Sequence, residues 1–291
     1  MRSTITPGRA TAPDPRVRRT VAAVLLLVAA CTPSVTPSTT PGSASQPAPT
    51  PTPAVPPVTT TPTTATTPFV PPVFSRNPAA YVEGAPYAPV IDSDAFVEGI
   101  THPFLPFTPG AKWVYGGAER IVVEVLDETK DILGIKATVV RDRVYEDGEL
   151  IEDTLDWYGQ DVAGNVWYLG EQTAEYENGQ VVSTAGSWEA GVDGALPGII
   201  MLADPRVGDQ YRQEFYAGEA EDLAAVTALR GSVTVPAGTW SGDEVLVTEE
   251  WTPLEPNVRE QKTYALGVGV VEARTIVGGD DVVFLRRLTI P

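Results

Sequence analysis

Asp142 and Asp153 stand on either side of an Asp147-Gly148 pair. An Asp-Gly link between two β-rich runs is a strong hairpin signal. A strict two-residue turn sets Arg143 opposite Glu152, Asp142 opposite Asp153 and Thr138 opposite Trp157. One face then carries Thr138, Val140, Val144, Ile151, Leu155 and Trp157 as core, and the other carries Arg143, Glu152 and Asp156 toward solvent. Asp142 and Asp153 are left facing each other on the apolar side. Two carboxylates at that separation raise one pKa or ligate a cation through oxygen. A three-residue bulged turn instead sets Arg143 against Asp153 and dissolves the pair. Both registers are open to the sequence.

Aromatic residues are the second candidate chemistry. Trp157-Tyr158 and Trp167-Tyr168 are adjacent pairs, and Trp188 follows in the next segment. Successive side chains of a strand point to opposite faces, so one ring of each pair is expected outside the core. Exposed rings beside carboxylates suit a sugar-binding face, and inward rings suit a lined apolar cavity. Ordinary core and cross-strand packing is the third reading. The single histidine, His102, precedes Pro103 and reads as a hydrogen-bonded loop residue. The chain has no Gly-x-Ser-x-Gly, no second histidine for a metal cluster and no phosphate-cradling glycine loop, which removes several enzyme classes. No cofactor is expected. Carboxylate chemistry of the glycoside-hydrolase kind stays open.

Strands must position these residues. From Gly110 onward, short runs rich in Val, Ile, Thr, Tyr and Trp alternate with Gly116-Gly117, Asp147-Gly148, Gly164-Asn165, Asn178-Gly179 and Gly278-Gly279. The segment Glu219–Leu229 has the best helical period and is only about three turns long. The fold class expected is all-β: an antiparallel meander forming a barrel-like or two-sheet domain over 109–291. An internal echo suggests duplication of 110–190 in 208–291. Residues 134–140 overlay 242–248, and Trp157-Tyr158 with Gly164-Asn165-Val166 overlays Thr263-Tyr264 with Gly267–Val270. Chance similarity of β-rich sequence is the rival explanation.

Ahead of this domain the chain changes character. Arg16, Arg18 and Arg19 precede an apolar run from Val21 to Val28, followed by Ala29, Ala30 and Cys31, the only cysteine. A basic segment, a short apolar run and small residues describe a secretory signal over 1–30, too short to span a bilayer as a helix. Val28-Ala29-Ala30-Cys31 resembles the lipobox of bacterial lipoproteins. That resemblance implies diacylglyceryl transfer to the Cys31 thiol, cleavage before it, and lipid anchoring at the extracytoplasmic face of the membrane. Residues 32–72 are uncharged and contain 13 prolines and 13 threonines, so the 31–73 segment is expected to be a disordered, partly polyproline stalk. Over 74–108 prolines alternate with Tyr81, Tyr87, Phe96, Phe104 and Phe107, the pattern of an irregular arm packed on the domain. With 38 acidic against 20 basic residues, the formal charge is −18. Nucleic acid and anionic headgroups are therefore disfavoured as partners.

Asp161-Val-Ala-Gly-Asn165-Val-Trp-Tyr168-Leu-Gly-Glu171, Ser187-Trp-Glu-Ala-Gly191-Val-Asp-Gly194, Val235-Pro-Ala-Gly238-Thr-Trp240 and Tyr264-Ala-Leu-Gly267-Val-Gly269-Val resemble motifs of a group of exported bacterial β-domains. The resemblance covers most of 96–291. It implies export and β architecture and assigns no activity. The leading expectation is a lipid-tethered, non-enzymatic module that binds a small apolar or sugar ligand or a cell-wall component. An envelope glycan hydrolase and a structural or partner-binding module are the alternatives.

Overall fold

The computed structural model describes residues 75–291; Cys31, the signal segment and the stalk lie outside the described residues. The described chain is antiparallel β, apart from one short 3-10 turn at Ser93–Ala95. Its strands are β1 (Phe96–Val97), β2 (Lys112–Gly117), β3 (Arg120–Ile132), β4 (Ile135–Glu146), β5 (Glu149–Asp161), β6 (Val166–Glu177), β7 (Gln180–Ser183), β8 (Trp188–Glu189) and β9 (Leu196–Met201). The second half holds β10 (Gln210–Arg212), β11 (Glu214–Phe215), β12 (Leu223–Ala228), β13 (Gly231–Val235), β14 (Gly238–Gly242), β15 (Val245–Trp251), β16 (Arg259–Ala265), β17 (Gly269–Val277) and β18 (Val282–Thr289).

Local chemistry fixes the long hairpins. Asp147-Gly148 and Asn178-Gly179 both take positive φ at each position, the turn geometry that matches strand twist. Leu133-Gly134 does the same; a leucine there gives the sequence no turn signal, and β3–β4 was not foreseen as a hairpin at that point.

The main sheet runs β10-β12-β15-β16-β17-β18-β2-β3-β4-β5-β6-β9-β11. Its two edge strands, β10 and β11, are consecutive in the chain and separated only by Gln213. One segment, 210–215, therefore pairs with β12 through its first half and with β9 through its second. The sheet returns on itself as a barrel, and β13–β14 form a separate small sheet.

The internal echo has a counterpart in the topology. The order β2-β3-β4-β5-β6 in the first half matches β10-β12-β15-β16-β17 in the second. The register shifts at Trp157/Tyr158 between β5 and β6, and at Thr263/Tyr264 between β16 and β17, which are the positions that the sequence overlay equates.

Leu105 and Phe107 from the segment before β2 are buried in the core. Phe107 packs 5.9 Å from Trp113 and 5.2 Å from Tyr158, centroid to centroid. Phe96 covers Trp167 at 6.2 Å. Gly159 leaves room for this, since a Cβ there would lie 3.1 Å from the Phe96 ring and 3.2 Å from Ile135.

Candidate functional site

The β4–β5 hairpin decides what faces the barrel interior. Its turn is the two-residue Asp147-Gly148 link, with Glu146 opposite Glu149, but Ile151 bulges out of the ladder. Beyond the bulge, Val144 opposes Glu152, Arg143 opposes Asp153, Asp142 opposes Thr154 and Thr138 opposes Tyr158. One extra residue exchanges the two faces of a strand. Thr154, Asp156 and Tyr158 therefore join the buried face, and Trp157 moves to the other side. Asp142 and Asp153 do not face each other. Asp142 is buried, whereas Asp153 forms a two-pronged ion pair with Arg141.

The tryptophans also depart from expectation. Trp157, Tyr158, Trp167 and Tyr168 are all buried, as is Trp188. Both faces of β5 and β6 are covered here, so alternation does not expose either ring. Tyr158 and Tyr168 stack at 4.9 Å inside the barrel, with Trp188 edge-on to Tyr168 at 5.3 Å. On the other face Lys130 Nζ sits 3.3 Å from the Trp157 ring centre, and Trp167 Nε1 donates to Asp161 Oδ2 at 2.9 Å. His102 is buried and structural: the Phe104 amide donates to its Nδ1, and its Nε2 is 3.1 Å from the Leu202 carbonyl. Burial lowers this imidazole to about 4, so it is neutral at physiological pH.

What the fold assembles instead is an interior belt of carboxylates. Asp156 and Glu171 are direct cross-strand partners on β5 and β6, and both are buried with Asp142 and Glu214. Tyr168 OH donates to Asp156 Oδ1 at 2.7 Å. Asp142 Oδ1 and Glu171 Oε2 have no hydrogen-bond partner, while the Tyr158 hydroxyl faces Asp156 and the Trp188 indole N–H faces Glu214 as donors.

Burial, reinforced by neighbouring carboxylates, holds this belt above the ordinary range. Asp142 and Glu171 are raised well above it by burial and then by Asp156. Glu214 is raised by burial and then by Asp222. Asp156 is pushed up to about 8, chiefly by burial, against the lowering effect of the Tyr168 hydrogen bond. Glu119 and Glu152, at the rim, rise to about 7, again chiefly through burial.

The second half handles the same positions differently. The overlay equates Asp156 with Lys262 and Asp142 with Glu250, and these two form a buried ion pair at 2.6 Å. Thr248 Oγ1 donates to the same Glu250 carboxylate at 2.7 Å. Burial alone would lower the Lys262 ammonium, but Glu250, Glu260 and Asp222 outweigh it and hold it above its ordinary value. One half thus carries acid against acid where the other carries acid against base.

Among the described residues, no group of three or more His, Cys, Asp or Glu side chains is arranged to hold a metal ion. The apolar part of the interior is filled. Leu105, Phe107, Trp113, Tyr115, Val123, Gly269 and Val270 line a void of about 10 Å³, about the room one water needs.

No protein-family model matches the chain, and no curated protein matches it either. Two solved structures are similar at low identity. One is a Bacteroides fragilis protein described as exported, with a YmcC-like fold: 15% identity, TM-score 0.39, covering 64% of this chain and 99% of the other. The second is a Parabacteroides distasonis protein described as a lipoprotein: 13% identity, TM-score 0.34, covering 64% and 98%.

Sequence reasoning missed Asp156, Glu171 and Glu214 for a definable reason. The Ile151 bulge carries no marker residue, and without it Asp156 falls on the solvent face.

Proposed function

We propose that the protein is a lipid-anchored, extracytoplasmic binding module without catalytic activity, and that its ligand is a small polar molecule of the sugar class. The lipobox-like Val28–Cys31 sequence and the Thr/Pro stalk support the tether. The observation that carries the ligand class is the fully buried carboxylate belt of Asp142, Asp156, Glu171 and Glu214, in which Asp142 Oδ1 and Glu171 Oε2 lack partners. A buried polar atom without a partner costs about 1–3 kcal/mol, and a polyol supplies donors and acceptors together. The Tyr158, Tyr168 and Trp188 rings pack together beside the same carboxylates.

Native mass spectrometry of the chain purified from its own host without detergent is the test. A mass above that of the chain, lost on denaturation and assignable to a glycan, is expected. A bare mass, together with no thermal shift across a panel of envelope sugars, sinks the sugar reading. A second reading has one observation in its favour: Val181 and Val182 on the outlying strand β7 are about half exposed (53% and 54%). Capture of a protein partner that Val182→Lys abolishes would move the function to partner binding.

A further inference from the structure

The barrel closes through its shortest ladder, the two pairs between β9 and β11. Between β9 and β12 the ring is completed by three residue pairs on β10 and two on β11, whereas β3–β4 and β4–β5 are long, continuous hairpins. At this line Gly198 of β9 lies directly against the Gln213–Glu214 backbone, close enough that no Cβ fits. The segment that follows the stalk lies across it. Ala80 bridges to Tyr211, the Arg212 amide donates to the Ala79 carbonyl at 2.9 Å, and the Tyr81 amide donates to the Gln210 carbonyl at 3.0 Å. Arg76 grips Asp209 with both guanidinium nitrogens, at 2.5 and 2.6 Å. Tyr87 reaches the other side of the line, donating to the Pro197 carbonyl of β9 at 2.7 Å. The Arg212 guanidinium is held between Tyr81, Tyr87 and Phe215.

Behind this strap sits Glu214, fully buried, with the Trp188 indole as its neighbouring side-chain donor. The groups that face it are Asp222 ahead of β12, Asp156 and Tyr158 on β5, Glu171 and Tyr168 on β6, and Trp188 on β8. Lys262 faces Asp222 and is engaged with Glu250. A negative charge on Glu214 thus meets carboxylates from three directions. The two-pair β9–β11 ladder beside it is the shortest in the ring.

We propose that residues 76–87 form a strap across this seam, and that negative charge on Glu214 and the carboxylates facing it releases the strap and opens the barrel between β9 and β12. Opening admits water to the belt and separates like charges at the expense of the five residue pairs that 210–215 makes with β12 and β9. The strap operates whether or not a ligand enters.

Hydrogen–deuterium exchange mass spectrometry on the full chain at about pH 6 and about pH 8.5, corrected for intrinsic exchange, tests this directly. Segments 76–87, 196–201 and 210–216 are expected to exchange at least about tenfold faster at the higher pH, with the 120–146 hairpin unchanged. Glu214→Gln removes that response. If that variant does not fold, Glu171→Gln, which deletes one of the facing charges, is expected to reduce it. Arg76→Ala, which touches no interior carboxylate, raises seam exchange already at pH 6. A seam that responds no more than the hairpin overturns the proposal. So does a pH response unchanged in the folded Gln variants, or an Arg76→Ala seam as protected as the parent.

Discussion

Replacing Asp156 by Asn should make the protein more stable, and increasingly so as the pH rises. Asp156 is fully buried, opposite Glu171, and its pKa moves from the ordinary 3.8 to about 8. The folded carboxyl keeps its proton to higher pH than the unfolded one. Between pH 4 and 8 folding therefore takes up a proton, and stability falls as pH rises. The limiting slope for one such group is about 1.4 kcal/mol per pH unit. From pH 5.5 to 7.5 the parent should lose up to about 2.7 kcal/mol through this residue, and sharing of protons along the belt reduces that to roughly 1–2 kcal/mol. Asn preserves the shape, keeps an oxygen for the Tyr168 hydroxyl, and turns an NH₂ donor toward Glu171. Urea denaturation followed by tryptophan fluorescence at pH 5.5, 6.5 and 7.5 reads both proteins. The difference between them is expected to widen across the series. Parallel slopes, or a parent that gains stability with pH, would refute the reasoning by showing that the belt is neutralised by something other than protons.

Three more outcomes follow from the same physics. Lys262→Met leaves Glu250 as an uncompensated buried acid and is expected to cost about 3–5 kcal/mol, recovered in large part by adding Glu250→Gln; a loss under 1 kcal/mol in urea denaturation counts against the ion pair. Gly198→Ala places a Cβ into the Gln213–Glu214 backbone and should destabilise by about 2 kcal/mol or more, with extra exchange at 210–216; an unperturbed seam contradicts the packing described there. Cys31→Ser is expected to move the protein from the membrane fraction to the soluble fraction, and retention on the membrane is the result that disproves lipid anchoring.

The sequence alone determined the all-β antiparallel class, because that information is local. Alternating apolar residues and the Asp147-Gly148 and Asn178-Gly179 turns need only their own neighbours to act. The site was a different matter. Whether Asp156 faces water or the core depends on a one-residue bulge at Ile151, a feature worth little energy locally and settled by which face the rest of the barrel buries. Whether Trp157 and Trp167 are exposed depends on Lys130 and Phe96, which approach from distant segments. The meeting of Asp156 and Glu171 with Glu214 exists only because 210–215 returns to close the ring, bringing residues more than forty positions apart into one low-dielectric space. Long-range closure sets the electrostatics here, and no window of sequence contains it.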